Sequence, residues 1–455
     1  MTPMSLANFV HVVGGTPAFH EAPDVIVKGV AIDHRQLQPG HAFVAFVGQR
    51  VDGHQFVDEA FRRGASVAVV TKDVKTALGP CVRVPNALKA VQALARWERD
   101  QFEGPVVGIT GSNGKTTTKE MVAAALGALG PCVYTSANQN NELGLPLTIL
   151  QRDASHRAMV LEMGMRGLGQ IEELCTIARP NIGVITHIGY NHIELLGSQE
   201  NIALAKTELI ASLPKDGIAV LNGDDPWLRR MQHRTTARIL WYGLSEACDI
   251  RATSVTWSQE GMAFEVNTPQ GSATMRIRLL GQHNVMNALA AIAVGLALGI
   301  SLGDIQRGLG RVEAQRGRLR LVDVRDVTVI DDAYNASPSS VAASLEVLER
   351  VARPGHRVAV LGDMLELGQM AVQAHREVGR RVALAGVDRL LCVGKLAVEM
   401  ARAAEEAGVP VVRHFNALEE LLASLGTYLQ PGDVVLVKGS RAVQLDRAVD
   451  ALAAL

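Results

Sequence analysis

A chain of 455 residues exceeds one ordinary hydrophobic core and calls for two to four domains. With 48% apolar and 20% charged residues it has the composition of a folded chain, not of a disordered one. Its net charge of −1 provides no global basic field for nucleic acid or an anionic membrane, so an anionic substrate must be met by local groups.

The first six residues, Met1-Thr2-Pro3-Met4-Ser5-Leu6, lack the basic start and long apolar run of a secretory leader, which predicts a cytoplasmic protein. Short strands are expected over 25–27 and 42–47, a helix over 55–63 and a strand over 66–70. A helix over 87–99 then leads to a break at Gly104-Pro105. These elements describe a small α/β unit and a connection. From 105 to about 312, strands and helices alternate, as in a mostly parallel sheet with helices on both faces. Its expected strands are 106–109, 158–162, 182–186 and 218–221. Between 238 and 280 short alternating runs replace the helical pattern and suggest an antiparallel addition. The apolar helix at 285–300 carries Asn287 and is short for a membrane span, so it reads as a buried core helix and no membrane insertion is expected. A third alternating block begins near Arg318, with strands at 328–330, 358–361, 389–393 and 434–437. It has no GxGxxG turn, so a dinucleotide site is not expected there. The five cysteines, at 81, 132, 175, 248 and 392, show no CxxC spacing and are expected as small buried apolar residues in a reducing compartment.

The chemistry concentrates at Gly111-Ser112-Asn113-Gly114-Lys115-Thr116-Thr117. An apolar strand precedes this segment and a helix follows it. Glycines let the backbone approach phosphates, and the helix start offers unpaired N–H groups and a positive dipole end. Lys115 can reach terminal phosphates and Thr116 can hold a magnesium ion. The longer Walker pattern would place Gly at 109, where this chain has Ile109, so a plain glycine turn is the alternative. Ligands of open α/β sheets gather at the carboxyl ends of strands, where Glu162, His192 and Asp332 fall. A carboxylate and an imidazole near triphosphate oxygens can bind magnesium; a strand-end charge and a structural histidine are the alternatives. Lys206, taken alone, reads as a solvated helix residue. Asn284 or Asn287 can cap the apolar helix, or Asn287 can meet a nucleotide base. Arg318 belongs to a solvated linker or neutralises phosphate charge as the third block closes.

Taken together, the motifs resemble those of the Mur ligases of peptidoglycan synthesis over almost the full length. The segments that carry the likeness are Thr110 through Glu120; Asn138-Gln139-Asn140-Asn141-Glu142-Leu143-Gly144; His192-Ile193-Glu194-Leu195-Leu196-Gly197; Gly281-Gln282-His283-Asn284; Asp331-Asp332-Ala333-Tyr334-Asn335-Ala336-Ser337-Pro338; Leu361-Gly362-Asp363-Met364-Leu365-Glu366-Leu367-Gly368; and Lys438-Gly439-Ser440-Arg441. The resemblance implies an α/β chain of three domains: a small N-terminal UDP-substrate domain at 1–84, a central ATP-binding ligase domain at 85–313 and a C-terminal Rossmann-like domain at 314–455. It implies the branch that adds D-alanyl-D-alanine to UDP-N-acetylmuramoyl-tripeptide through an acyl phosphate, with ATP, two magnesium ions and a CO2-derived carbamate on Lys206, in a cytoplasmic monomer.

The same resemblance assigns residues. Lys115 would bind the β/γ-phosphates, with Gly111, Ser112, Asn113, Gly114 and Thr117 in the loop. Thr116, Glu162, His192 and carbamylated Lys206 would hold magnesium. Carbamylation needs a neutral amine, so the site must lower that lysine's pKa. Asn287 and Arg318 match base- and phosphate-contacting positions, and Asp332 an acidic residue near the nucleotide. Asn138, Asn140 and Asn141 would line the muropeptide channel, and Tyr334 and Asn335 would face the reaction centre. Asp33 and Arg35 match the uridine side, where the family's Asp-Ser/Thr-Arg reads Asp33-His34-Arg35. His187 and Asn191 stand where Asn and Ala are commoner in the family.

Competing members fit less well. Folylpolyglutamate synthases usually carry Gly-Lys-Gly-Ser at the loop, and the diaminopimelate- or lysine-adding ligases Asp-Asn-Pro-Arg, and neither stretch occurs here. A GTPase switch would carry Asn-Lys-x-Asp, also absent. A non-catalytic nucleotide-binding partner would not need Lys115, Glu162, His192 and Lys206 together.

Overall fold

The computed structural model describes residues 1–18, 24–351 and 354–454. Among these, three principal sheets follow one another along the chain, with a two-stranded ribbon at the N-terminus.

The first sheet has the order Thr16–Pro17, Cys81–Arg83, Val67–Val70, His41–Val44, Gly29–Ala31, parallel except at its first pair. The strand expected to run to Val47 stops at Val44. The helix expected over 55–63 opens as a 3-10 turn, Gly53–Phe56, because the Asp52 side chain accepts from His54 N (3.0 Å) before the α-helix Val57–Arg62 begins. Helix Ala87–Asp100 starts where Asn86 accepts from Lys89 N (3.0 Å). It buries Ala87, Ala90, Val91, Leu94 and Ala95, the three-four spacing of one helix face. That face belongs to an apolar core shared by Phe9 of the N-terminal helix Leu6–Val13, Val44 and Val69 of the first sheet and Met159 and Leu161 of the second, so the two units are welded by continuous packing.

The central sheet has nine strands in the order Gly271–Ile277, Gly261–Thr268, Ile250–Ser258, Arg238–Gly243, Ile218–Asn222, Ile182–Ile185, Val106–Thr110, Ala158–Glu162, Cys132–Tyr134. Pairing is parallel up to Ile250–Ser258 and antiparallel only for the last two hairpin strands, so the antiparallel addition expected over 238–280 begins later, because Arg238–Gly243 still extends the parallel sheet. Alternate residues serve opposite faces. Val106, Met159, Leu161 and Ile185 pack on one side, while Val107, Ile109, Val160 and Val184 pack on the other against helices Lys115–Leu126 and Gln282–Ala297. Burial on both faces explains why these strands are almost wholly apolar. Strand Val106–Thr110 lies between Ile182–Ile185 and Ala158–Glu162, so the chain leaves it in both directions and opens a crevice at its carboxyl end.

The third sheet has the order Arg320–Val324, Val327–Asp331, Val434–Lys438, Arg357–Gly362, Arg389–Val393, Val411–Phe415 and is parallel except at its first pair. Helices Pro338–Arg350, Ala371–Leu384 and Ala397–Glu406 cover one face, and Leu418–Ser424 and Asp446–Ala454 the other. Among the described residues no helix is long and apolar enough to cross a membrane. All five cysteines are free thiols. Cys81, Cys175 and Cys392 are buried as expected, but Cys132 and Cys248 are only half-buried.

Candidate active site

The glycine loop leaves the fully buried strand Val106–Thr110 and enters helix Lys115–Leu126. Two of its glycines are required by geometry. Gly111 has φ +149°, and an added Cβ would lie 1.9 Å from Thr186 Oγ1. Gly114 has φ +80°, and its Cβ would lie 2.6 Å from Asn287 Oδ1. The loop is closed on itself: Lys115 Nζ donates to the carbonyls of Gly111 (2.8 Å) and Ser112 (3.4 Å). Burial lowers the Lys115 pKa, and the Glu162 charge opposes that shift. Ser112 Oγ accepts from Gly189 N (2.8 Å), and Asn113 O accepts from Thr186 Oγ1 (2.5 Å), so the next crossover buttresses the loop. Asn113 Nδ2 donates to Ser339 Oγ (3.1 Å) at the start of helix Pro338–Arg350, a contact that joins the central and C-terminal units.

Glu162 ends its strand with a buried carboxylate. One oxygen accepts from Thr116 Oγ1 (2.9 Å) and the other from Asn140 Nδ2 (2.8 Å). Arg318 Nη2 also donates to Thr116 Oγ1 (3.1 Å), while its guanidinium stacks 4.1 Å from the Tyr334 ring centre. Lys206, in helix Gln199–Ala211, is only 2% exposed, which overturns its reading as a solvated helix residue. Its amine has no hydrogen-bond or ion-pair partner among the described residues. Burial, helped by the Lys115 charge, holds its pKa well below the usual lysine range.

Asn287 Oδ1 accepts from Thr118 Oγ1 (3.1 Å), and its Nδ2 donates to Asn284 Oδ1 (2.9 Å). Asn284 Nδ2 in turn donates to Leu280 O (2.7 Å). Neither asparagine caps the helix, which begins at Gly281 without a side-chain cap; both are spent on lateral bonds. Asp332 is fully engaged: its oxygens accept from Lys438 Nζ (2.5 Å), Ser344 Oγ (2.6 Å) and Leu319 N (3.2 Å). Lys438 also donates to Asn335 O (3.0 Å).

These groups line one cleft of about 1030 Å³ between the central and C-terminal sheets. It brings together the loop from Ser112 to Thr117, Glu162, His192, Lys206, Asn287, Arg318 and Asp332, with Asn138, Asn140 and Asn141 and, from the C-terminal unit, Tyr334 and Asn335. Asp33 and Arg35 do not line it. Asp33 accepts from Arg35 N (2.9 Å) and pairs with the Arg35 guanidinium (2.7 Å), which brings its pKa down to about 2. Lys438, His283 and Ser339 are among the lining residues to which the sequence assigns no role. Lys438 closes an apolar strand and obeys the same strand-end rule as Glu162. His283 is half-buried in the cleft wall, and desolvation of its ring brings its pKa down to about 4. Ser339 sits at a helix start and had no distinguishing pattern.

No cluster of three or more His, Cys, Asp or Glu side chains among the described residues is arranged to hold a metal by itself. The donors present are the Thr116 hydroxyl, the Glu162 carboxylate and the His192 imidazole. That set fits a magnesium ion that keeps several waters and is otherwise held by phosphates.

A glycine loop at a sheet's switch point, with a buried lysine, a carboxylate and a guanidinium around it, defines a nucleoside-triphosphate enzyme site. Comparison with known proteins narrows the class. The family description "Mur ligase family, catalytic domain" matches residues 26–99, "Mur ligase middle domain" 109–295 and "Mur ligase, glutamate ligase domain" 317–441. The chain is 37% identical to the UDP-N-acetylmuramoyl-tripeptide--D-alanyl-D-alanine ligase of Bacillus subtilis (strain 168), over 99% of this chain and 98% of the relative. It is 36% identical to the enzyme of the same name from Escherichia coli (strain K12), over 95% of each. A crystal structure of MurF from Acinetobacter baumannii superposes with a TM-score of 0.90 at 31% identity, covering 100% of both chains. MurF ligase from Thermotoga maritima, solved in complex with ADP, superposes at 0.82 with 31% identity, covering 94% of this chain and 97% of that one. The chain belongs to the Mur ligase family. Folylpolyglutamate synthase from Mycobacterium tuberculosis, at 19% identity and a TM-score of 0.64, shares the fold alone.

Proposed function

We propose that this chain is an ATP-dependent ligase that joins D-alanyl-D-alanine to UDP-N-acetylmuramoyl-tripeptide, with release of ADP and phosphate. Full-length similarity to relatives named for that reaction supports the choice of substrates. The observation that carries the mechanism is the unpartnered Lys206 amine, buried in the same cleft as the phosphate loop and the Glu162–Thr116 pair.

Oxide is too poor a leaving group for an amine to displace it from a carboxylate. Transfer of the ATP γ-phosphoryl group to the terminal carboxylate of the tripeptide makes an acyl phosphate. The neutral amine of D-alanyl-D-alanine attacks the acyl carbon, the carbon–oxygen bond to phosphate breaks, and the surplus amine proton is lost. Lys115 turns from its loop carbonyls to the β/γ-phosphates, and the loop N–H groups bind the same oxygens. Arg318, held against Tyr334, offsets charge on the transferring group. Asn287 would meet the base with the second amide N–H, which its bond to Asn284 leaves free. Asp332 acts from behind, because its bonds to Leu319 N and Lys438 fix the segment that carries Arg318 and Asn335.

Thr116, Glu162 and His192 would hold magnesium, which supplies neutralisation of phosphate charge. Lys206 would react with CO2 as the neutral amine that burial favours: a nitrogen–carbon bond forms as one C=O π pair moves onto oxygen, one proton leaves the nitrogen, and the amine becomes a carbamate that would offer magnesium a carboxylate-like oxygen donor. Asn138, Asn140 and Asn141 line the path of the muropeptide, and Tyr334 and Asn335 face the incoming dipeptide. Asp33 and Arg35 meet the uridine end, away from the cleft. In this scheme residues 1–84 bind the UDP end, 85–313 bind ATP, and 314–455 close with the amine. The enzyme acts as a cytoplasmic monomer.

Phosphate release from ATP by the purified chain should require both peptide substrates. Release that ignores either one contradicts the proposal.

A further inference from the structure

His192, a proposed site residue of the central unit, has a carboxylate neighbour from the C-terminal unit. Its Nδ1 lies 2.6 Å from Glu366 Oε2. That nitrogen is buried yet lacks an aligned hydrogen bond, so the carboxylate is close but turned off the ring axis. The second Glu366 oxygen faces Arg166 Nη2 at 3.9 Å.

Both partners sit on strained backbone. His192 has φ +65° and Glu366 φ +62°, conformations that non-glycine residues rarely adopt and that mark sites held by their surroundings. The two turns touch: Glu194 N donates to Glu366 O (3.4 Å), and an added Cβ at Gly368 would lie 3.3 Å from Glu194 Cα. The turn that carries Glu366 is pinned from within its own unit. Met364 N donates to His375 Nε2 (3.0 Å), and Leu365 N donates to Ser440 Oγ (2.9 Å). His375 Nδ1 lies 2.7 Å from Ala371 O and can donate there, which leaves Nε2 as the acceptor that Met364 needs. Glu366 is therefore presented by a rigid turn, not by a loose surface loop.

We propose that Glu366 is a positioning residue for His192: it arrives with the C-terminal unit, and a small turn of the ring on ligand binding brings Nδ1–H into line with its carboxylate, so that the imidazole is held there and Nε2 is left for the phosphate cleft. An imidazole held by a carboxylate at one nitrogen is fixed in ring orientation and is a better donor at the other. A chance ion pair of this exposure would contribute little, and would not explain two strained turns built to meet. The consequence is that the donor set of the central sheet is completed only when the C-terminal unit is docked, which couples metal affinity to closure. The inference rests on the placing of His192 in the proposed magnesium site.

The test is Mn2+ binding to the full chain with ADP, followed by electron paramagnetic resonance. Glu366→Ala should weaken Mn2+ by roughly 10–100-fold, and Glu366→Asp should recover part of the loss. In His192→Ala the further change Glu366→Ala should cost nothing more. Unchanged Mn2+ affinity in Glu366→Ala, or losses that add to those of His192→Ala, would overturn the positioning role while leaving the site reading intact. Unchanged affinity in His192→Ala would instead remove His192 from the site, and the role of Glu366 with it.

Discussion

The central and C-terminal sheets share one architecture and turn their carboxyl ends to the same cleft, yet they treat the lysines that line it in opposite ways. In the C-terminal unit the charges are matched. Asp332 has Lys438, Ser344 and Leu319 N. Asp363 accepts from Leu396 N (3.0 Å) and Ala397 N (2.7 Å). The fully buried Asp433 has Arg389 (3.1 Å) and His356 N (2.8 Å). In the central unit Lys206 is buried with no partner, and Lys115 rests only on loop carbonyls. An unmatched buried charge is costly, so a fold that keeps one marks a place reserved for a ligand. Matched charges hold a frame in register. The central sheet thus supplies chemistry and the C-terminal sheet supplies geometry.

The sharpest way to break this contrast is Lys115→Ala. It should lower ligation by about a thousandfold or more, as loss of a preorganised transition-state donor does, while melting and circular dichroism stay unchanged. Substantial turnover would show that the loop lysine is not the phosphate group's partner.

Lys206→Ala should also abolish ligation, with partial recovery on adding short carboxylic acids that replace the carbamate. A fully active, unrescued variant would show that no carbamate is used. The same residue separates function from stability. The folded amine has a lowered pKa, so the unfolded chain holds a proton that the folded chain has lost, and stability rises with pH between the lowered value and the ordinary lysine value. In CO2-free buffer Lys206→Met should therefore melt higher than the parent at neutral pH, with the gap closing toward the ordinary lysine value. An equal or lower melting point at neutral pH would mean that the amine is paired in solution.

Lys438→Met attacks the matched side. It strands Asp332 without its cation and should cost about 3 kcal/mol of stability, read by denaturant unfolding. A loss of ligation with stability unchanged would move Lys438 from frame to chemistry. The mildest change is Arg318→Lys, which keeps charge but gives up stacking on Tyr334 and the planar donor fork. It should lower kcat/KM for ATP roughly tenfold, about 1.4 kcal/mol; no effect would remove Arg318 from the phosphate site.

Much of this was legible because parallel strands buried on both faces are continuous apolar runs, and the polar residue that ends such a run points at the crevice. That logic found Glu162 and Asp332, and applied to 434–437 it would have found Lys438. Lys206 is harder to read. Its helix buries Ile202, Ala203, Ala205, Thr207, Leu209 and Ile210 on nearly all sides, so no polar stripe exists against which a buried lysine stands out. The edge strand Arg320–Val324 was missed because it is short, mixes charge with apolar residues and is only half-buried. Asn284 and Asn287 show the limit of local rules: both capping and base contact suit the sequence, and only tertiary packing reveals their lateral bonds. Glu366 lies in a segment that carries the family resemblance, yet no local rule assigns it a role, since its meaning lies in a turn that meets His192 from a distant part of the chain.

The central claim is that ATP energises the tripeptide's carboxylate before the dipeptide amine captures it. Tripeptide labelled with 18O in its terminal carboxylate tests this directly. One labelled oxygen should appear in the phosphate released for each peptide bond formed; joined product accompanied by unlabelled phosphate would contradict the account.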